Sequence, residues 1–202
     1  SGSTVVGSKI SLIDCTVNSD RHGLHFYSNV HIGVGSVLMI KNTDLGGGCT
    51  GAGCAYFYYA LMAYLNGGHL DWHSDSKISG WGGLYIKAYL PLTGFDFSHP
   101  LAAQTNIITF DLNDCTGCLI SLKDTTTHTH ASAKVKIEST QWTSSRILID
   151  QMNVQGSSLE VIAGGGTNMV DTSVVVSSSS VGVDLKVTES SLPSGQTIIT
   201  SG

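Results

Sequence analysis

The sequence predicts an all-β protein that folds as a single-stranded parallel β-helix, a solenoid in which short strands stack in successive rungs. Three observations predict this fold. An eight-residue pattern of apolar and polar positions recurs along the chain, a second short strand follows each copy after a polar turn, and the composition combines 24 Gly with only 3 Pro. A repeat of roughly 20 to 50 residues is typical of solenoids, and this composition suits strands joined by tight turns.

The recurring pattern reads apolar, any, apolar, any, any, Ser/Thr/Cys, any, apolar. It is complete in 10–17, 38–45, 135–142 and 185–192, looser in 108–115, interrupted by one inserted residue in 70–78, and half present in 159–166. Its first apolar positions are Ile10, Leu38, Leu70, Ile108, Val135, Leu159 and Leu185. Seven copies predict about seven rungs of a right-handed rod. We expect the first four anchors to form one buried column with a spacing of about 4.8 Å.

The second strands are the apolar runs that follow each copy. They are LHF (24–26), YFYY (56–59), LYI (84–86), LISL (119–122), ILI (147–149), VVV (174–176) and TIIT (197–200). A helical solenoid is disfavoured because the apolar positions alternate and amphipathic helical stretches are absent. A β-sandwich is the competing fold, since it also consists of short strands separated by turns.

Length and charge limit the classes of function. The 202 residues predict one β-helix domain over 1–202, and we expect it to be a segment of a longer chain because it begins Ser1-Gly2-Ser3 without an initiator Met. The formal net charge is −5 and there is no basic cluster, which argues against nucleic-acid binding. No apolar run reaches about 18 residues, so we expect no direct membrane insertion of this segment.

Five cysteines are present, and four of them form two closely spaced pairs. Cys49 and Cys54 enclose one Gly-containing turn, and Cys115 and Cys118 enclose another, whereas Cys15 stands alone. Small structural disulfides within each turn are the favoured interpretation, and a redox or zinc site is the alternative. Disulfides would place the protein in an oxidising, extracellular compartment.

Asn42-Thr43-Asp44 resembles the Asn-Thr-Asp of polygalacturonases, which together with pectin lyases are enzymes built on β-helical rods. That resemblance would imply a further Asp pair, then Gly-His-Gly and Arg-Ile-Lys. Here Asn113-Asp114 stands in place of the Asp pair, Gly68-His69 comes before it rather than after it, and 145–149 lacks the lysine. Asp44 and Asp114, as a carboxyl pair two rungs apart, would be marginal for hydrolysis. We therefore interpret the tripeptide as a strand-to-turn corner of the repeat and expect no enzymatic activity, metal or cofactor.

Three further segments carry residues with functional alternatives. HLDWHSDSK (69–77) places polar side chains at alternate positions beside tryptophans, so a glycan platform is one interpretation and an irregular loop is the other. The platform residues are His69, Asp71, Trp72, His73 and Trp81. THTH (127–130) is either a metal-binding pair, His128 and His130, or a polar surface strand. AYFYYALMAYL (55–65) is expected to form buried strands, with an aromatic adhesive patch as the alternative.

The repeats at 9–19, 36–48 and 133–145 resemble those of the dispersed gene family of trypanosome surface proteins, which are Ser/Gly/Val-rich arrays with scattered cysteines. The resemblance implies an extracellular, membrane-tethered parent with a coat or adhesive role. We therefore expect an extracellular or cell-surface rod that is structural or adhesive and presents a face to carbohydrate or to a cell-surface protein. End-to-end self-association into a filament is a further expectation. The alternative is a polysaccharide-degrading or tailspike-like enzyme on the same scaffold.

Overall fold

A computed structural model provides the coordinates of the chain. It describes residues 3–17, 23–26, 30–46, 59–73, 75–79, 83–101, 107–124, 134–139, 141–150, 158–163, 169–170, 172–176, 184–188 and 197–200. Every regular element in these ranges is a β-strand, which confirms the all-β class. The predicted sites Cys49, Cys54, Trp81, His128 and His130 lie outside the described residues.

The described residues form twenty-four short strands. In chain order they are β1 (Ser3–Val5), β2 (Lys9–Ile13), β3 (Thr16–Val17), β4 (Leu24–His25), β5 (Val30–Gly33), β6 (Val37–Lys41), β7 (Asp44–Gly46), β8 (Tyr59–Asn66), β9 (His69–Trp72), β10 (Lys77–Ser79), β11 (Gly83–Ala88), β12 (Leu92–Thr93), β13 (Asp96–Leu101), β14 (Ile107–Leu112), β15 (Cys115–Thr116), β16 (Leu119–Asp124), β17 (Lys134–Ser139), β18 (Trp142–Thr143), β19 (Arg146–Asp150), β20 (Ser158–Ala163), β21 (Met169–Val170), β22 (Ser173–Val176), β23 (Asp184–Thr188) and β24 (Thr197–Thr200).

All ladders between these strands are parallel, and each joins strands from successive passes of the chain. The long sheet has the order β1-β5-β8-β11-β14-β17-β20-β23, with β4 also beside β8. The shorter sheets are β2-β6-β9, β3-β7-β10, β12-β15-β18-β21 and β13-β16-β19-β22-β24. A chain that returns to extend the same sheets pass after pass forms stacked coils, so the predicted parallel β-solenoid is confirmed.

The predicted column of repeat anchors is correct for three members and wrong for the fourth. Ile10, Leu38 and Leu70 are register partners in β2, β6 and β9. Ile108 instead pairs with Leu84 in the long sheet and continues to Val135. The reason is that a buried strand followed by a polar corner occurs at more than one corner of a coil. The sequence pattern therefore marks such a strand without fixing the sheet to which it belongs.

Inward side chains of successive coils fill the core. Leu61, Leu84 and Ile108 stack in register along the long sheet, and each is at least nine-tenths buried. Phe97 and Phe110 pack edge to face with ring centroids 5.1 Å apart. Burial of these columns supplies the main stabilisation of the rod, since an isolated coil has nothing to cover its inward residues.

Buried hydroxyl groups tie each corner to the coil before it. We call Ser36, Thr43, Ser139 and Ser145 the corner hydroxyls. Each lies within hydrogen-bond distance of a carbonyl oxygen of the preceding coil: Ser36 of Val5 (3.0 Å), Thr43 of Leu12 (3.2 Å), Ser139 of Asn113 (2.5 Å) and Ser145 of Cys115 (3.1 Å). In Thr43, Ser139 and Ser145 the single hydroxyl proton is shared with a carbonyl oxygen of the same coil, at 2.8, 2.8 and 2.9 Å. All four residues are buried, so these bonds give each buried hydroxyl a partner.

Asn42-Thr43-Asp44 is such a corner, as predicted. Asn42 has a left-handed backbone with φ of 42°, and Asp14, its counterpart in the preceding coil, has φ of 54°. Asn and Asp tolerate this conformation better than other residues with a side chain. Thr43 then turns its hydroxyl into the corner. The tripeptide is thus explained by the geometry of the repeat.

Candidate functional site

The structure describes four of the five residues of the predicted glycan platform and turns three of them outward, and glycan binding there stays a prediction. His69, Asp71 and His73 point outward from β9 and its end, with Nε2 of His73 3.5 Å from Oδ2 of Asp71. Trp72 is a correction: it is only 7% exposed and packs against Phe97 with ring centroids 5.3 Å apart. Successive side chains of a strand point to opposite faces, so a strand that exposes Asp71 must turn Trp72 into the core. Its ring is unavailable for stacking on a sugar.

One predicted disulfide is present within the described residues. Cys115 and Cys118 are joined across the corner between β15 and β16, where Gly117 has φ of 63°. Both cysteines are buried, so the disulfide is a structural staple. Cys15 is a free thiol, and its Sγ donates to the carbonyl oxygen of Ile13 at 3.0 Å.

A polar cavity of about 320 Å³ opens at the corner that joins β2 to β3, β6 to β7 and β9 to β10. We call it the corner pocket. It is lined by Asp14, Cys15, Thr16, Asn42, Thr43, Asp44, Asp75 and Lys77. The Asn42 side chain donates to Asp14 (2.7 Å), and its backbone N–H donates to Asp75 (2.8 Å). The pocket therefore gathers three carboxylates from three consecutive coils.

The polar groups of the corner pocket mainly hold the corner in its conformation. Asp14 and Asp75 accept hydrogen bonds that hold Asn42 in its left-handed conformation, and Asp44 lies 3.1 Å from Nζ of Lys77. Asp114 is not in the pocket, because it follows β14 at a different corner. The Asp44–Asp114 carboxyl pair considered from the sequence is therefore wrong.

The outer side of the long sheet carries an aromatic cluster, which we call the aromatic face. It comprises His31, Tyr59, Tyr64, Tyr85 and Tyr89, contributed by β5, β8, β11 and the residue after β11. Ring centroids are 4.8 Å apart for His31 and Tyr89, 5.8 Å for Tyr64 and Tyr85, and 5.9 Å for Tyr59 and Tyr85. Tyr64 is only 8% exposed and Tyr89 is 37% exposed, so Tyr64 is the base of the cluster and Tyr89 its most exposed ring.

A charged pair borders the aromatic face. Nζ of Lys87 lies 2.5 Å from Oδ2 of Asp111, and the Tyr85 hydroxyl donates to the same oxygen at 3.3 Å. The hydrogen bond to Asp111 raises the pKa of Lys87 above its ordinary value. Burial raises the pKa of Tyr85 well above its ordinary value, and the negative charge of Asp111 raises it further. The face therefore carries balanced charges and neutral phenols at neutral pH.

Sequence reasoning found only part of this face. The run 55–65 was a candidate aromatic patch, and the structure places Tyr59 and Tyr64 from it on β8, while 55–58 lie outside the described residues. Tyr85, Tyr89 and His31 were missed. A usable signal exists for two of them, because Tyr85, Lys87 and Tyr89 occupy alternate positions that begin on the outward side of β11.

Comparisons with known proteins do not supply a family. No family model, no curated protein and no solved structure matches the chain. Among the described residues, no helix is long and apolar enough to cross a membrane. The same residues contain no group of three or more His, Cys, Asp and Glu that is arranged to hold a metal ion. Function must be argued from the solenoid, the corner pocket and the aromatic face.

Proposed function

We propose that this chain is a segment of an extracellular structural or adhesive surface protein, a rigid β-helical rod that presents a face for glycan or protein contact. The rod is right-handed with about seven rungs, roughly 34 Å long at the spacing of β-strands. It belongs to a longer surface protein of the kind found in the dispersed gene family of trypanosomes. It acts by extension and contact, without catalysis.

The single observation that carries this proposal is the register of the long sheet, which continues from strand to strand with one shift, between Gly83 and Leu84 where β11 meets β8. Lys87 pairs with Tyr64 on one side and with Asp111 on the other, and Asp111 pairs in turn with Glu138. Parallel ladders on both sides hold each strand, so the outward side chains keep a fixed spacing along the rod. A preorganised surface loses little conformational entropy when it binds, which suits a contact face.

The disulfide supports an extracellular location. Cys115 and Cys118 are paired, and disulfides persist mainly in oxidising compartments. The free thiol of Cys15 is half-buried between β2 and β3 and donates a hydrogen bond to the carbonyl oxygen of Ile13, which is compatible with that setting.

A polysaccharide-degrading enzyme is the second candidate, and the corner pocket is the observation that favours it. Asp14, Asp44 and Asp75 line one open cavity, and glycoside hydrolysis needs two carboxyl groups across a sugar bond. Against it, each of these carboxylates holds a structural partner, and acid–base catalysis needs two carboxyls whose environments differ strongly.

The protein is incubated with a panel of polysaccharides, and retention of each polysaccharide by the protein and its polymer length are followed over time. This experiment separates the two candidates. The rod proposal predicts retention of a glycan without shortening, or capture of a cell-surface protein. Release of short products, lost in an Asp44→Asn variant, would establish the enzyme instead. Molecular mass in solution across a concentration series tests end-to-end self-association separately.

A further inference from the structure

We infer that the aromatic face is a carbohydrate-binding site whose ligand is a neutral glycan. This inference rests on the proposed function, because it names the contact face and the class of ligand. It also replaces the platform expected around Trp72, whose ring is in the core.

The rings form a row that runs from coil to coil. His31 and Tyr64 have centroids 6.2 Å apart, and Tyr64 and Tyr85 have centroids 5.8 Å apart. These residues come from β5, β8 and β11, which are consecutive strands of the long sheet. Tyr64 pairs in register with Lys87, so Tyr85 is offset from it by two residues and the ring contacts cross the sheet diagonally. Tyr64 is only 8% exposed and forms the base of the cluster, so a ligand contacts mainly Tyr89, its most exposed ring.

The polar groups beside the rings suit hydroxyl-rich ligands. Lys87 and Asp111 offer a donor and an acceptor next to Tyr85, and Nζ of Lys87 lies 5.4 Å from the centroid of the Tyr89 ring. A pyranose has an apolar C–H face and a rim of hydroxyl groups, which matches rings that are bordered by hydrogen-bonding side chains.

Charge on this surface argues for a neutral sugar. Lys87 is paired with Asp111, and Lys136 is paired with Glu138 on the next outward positions, at 2.6 Å. An anionic glycan would need an unpaired cation and would be repelled by the carboxylates of Asp111 and Glu138. An uncharged glycan meets no such repulsion. Charge complementarity therefore favours neutral over acidic or basic polysaccharides.

An exposed aliphatic ridge borders the face and offers a different surface. Val34 is 64% exposed and Leu90 is 42% exposed, and both cover the backbone of Gly67. A protein partner would use this ridge together with the rings, because apolar and aromatic side chains form the centres of protein interfaces. A sugar chain would depend on the rings and the Lys87–Asp111 pair alone.

A binding assay with the 202-residue chain tests the inference. The neutral probes are xylan, mannan and cellulose, and the charged probes are polygalacturonate, heparin and chitosan. The variants are Tyr89→Ala, Val34→Ser for the ridge, and His69→Ala as the matched control on the face of β9. We expect a neutral polymer to be retained, with binding that changes little between low and high salt. Tyr89→Ala should weaken it by roughly three- to tenfold, the loss typical of one aromatic contact, while the other two variants leave it unchanged. Binding should also strengthen with oligosaccharide length until the aromatic face is spanned.

Other outcomes separate the failure of this inference from that of the proposed function. Retention of a charged polymer that salt abolishes, or of a neutral one that Tyr89→Ala leaves unchanged, overturns the aromatic face as a neutral-glycan site but keeps the adhesive rod. Capture of a protein that Val34→Ser prevents has the same consequence. If neither glycan nor protein is retained, the contact role fails together with this inference. A matching thermal midpoint for each variant excludes misfolding as the cause.

Discussion

Ser145 donates a hydrogen bond from its hydroxyl to the carbonyl oxygen of Cys115, 3.1 Å away in the preceding coil. The same hydroxyl oxygen accepts the N–H of Cys118 at 3.1 Å, and the N–H of Ser145 donates to Thr172 in the following coil at 3.4 Å. The side chain and the backbone N–H of one buried residue therefore tie three coils together. The rod is held along its axis by these corner bonds as well as by strand ladders and core packing.

Removal of the Ser145 hydroxyl should destabilise the fold. Ser145→Ala leaves the buried N–H of Cys118 without its acceptor, and an unsatisfied buried donor costs about 1–3 kcal/mol. We expect the free energy of unfolding, measured by chemical denaturation, to fall by that amount. Ser145→Thr keeps the hydroxyl and should recover most of it. Ser121→Ala, on the outward side of β16, should be almost neutral; an equal loss there would show that the corner bond is not the cause.

Two glycines should respond very differently to alanine. At Gly68 a Cβ would lie 2.5 Å from the carbonyl oxygen of Ile32 and 2.7 Å from that of Gly33, so the backbone must shift. At Gly94 nothing lies within 4 Å, and only the positive φ of 64° opposes a side chain. We expect Gly68→Ala to cost at least about 2 kcal/mol of unfolding free energy and Gly94→Ala about 1 kcal/mol. Thermal unfolding of both variants measures this, and the reverse order would contradict the packing described between these coils.

The protein should lose stability at alkaline pH. Burial raises the folded-state pKa of Tyr59, Tyr64 and Tyr85, so these phenols stay neutral when those of the unfolded chain ionise. Above about pH 10 the folded state then binds more protons than the unfolded state, and the free energy of unfolding falls as pH rises. Chemical denaturation from pH 8 to 12 measures the slope. Tyr85→Phe should make it shallower, and an unchanged slope would show that the Tyr85 phenol is not held neutral by its surroundings.

The sequence predicts the coil structure better than it predicts the faces of the coil. The repeat identified strands that the structure contains, including β6, β17 and β23, and it explained Asn42-Thr43-Asp44 as a corner. It did not place Ile108, because the same pattern serves two different corners. Trp72 was misassigned because aromatic residues beside polar ones looked like a surface, although alternation along β9 already placed Trp72 opposite Asp71.

The aromatic face was not predictable as a unit. His31, Tyr64 and Tyr85 are separated by 33 and 21 residues in sequence and meet only because β5, β8 and β11 are neighbours in register. The numbers of residues between these strands differ, and the repeat pattern does not encode them. The disulfide could be predicted without knowledge of the register, since Cys115 and Cys118 belong to the same corner.

The register of the long sheet is the central claim, because a shift of one residue would turn every outward side chain inward. The most direct test is an engineered disulfide between register partners in a Cys15→Ser background. Thr109 and Lys136 are partners in β14 and β17, and neighbouring strands lie about 4.8 Å apart, within the span that a disulfide bridges. We predict that Thr109→Cys with Lys136→Cys cross-links on mild oxidation. Thr109→Cys with Glu138→Cys, offset by two residues, should not. Cross-linking of the offset pair alone would contradict the register of β14 and β17 in the long sheet.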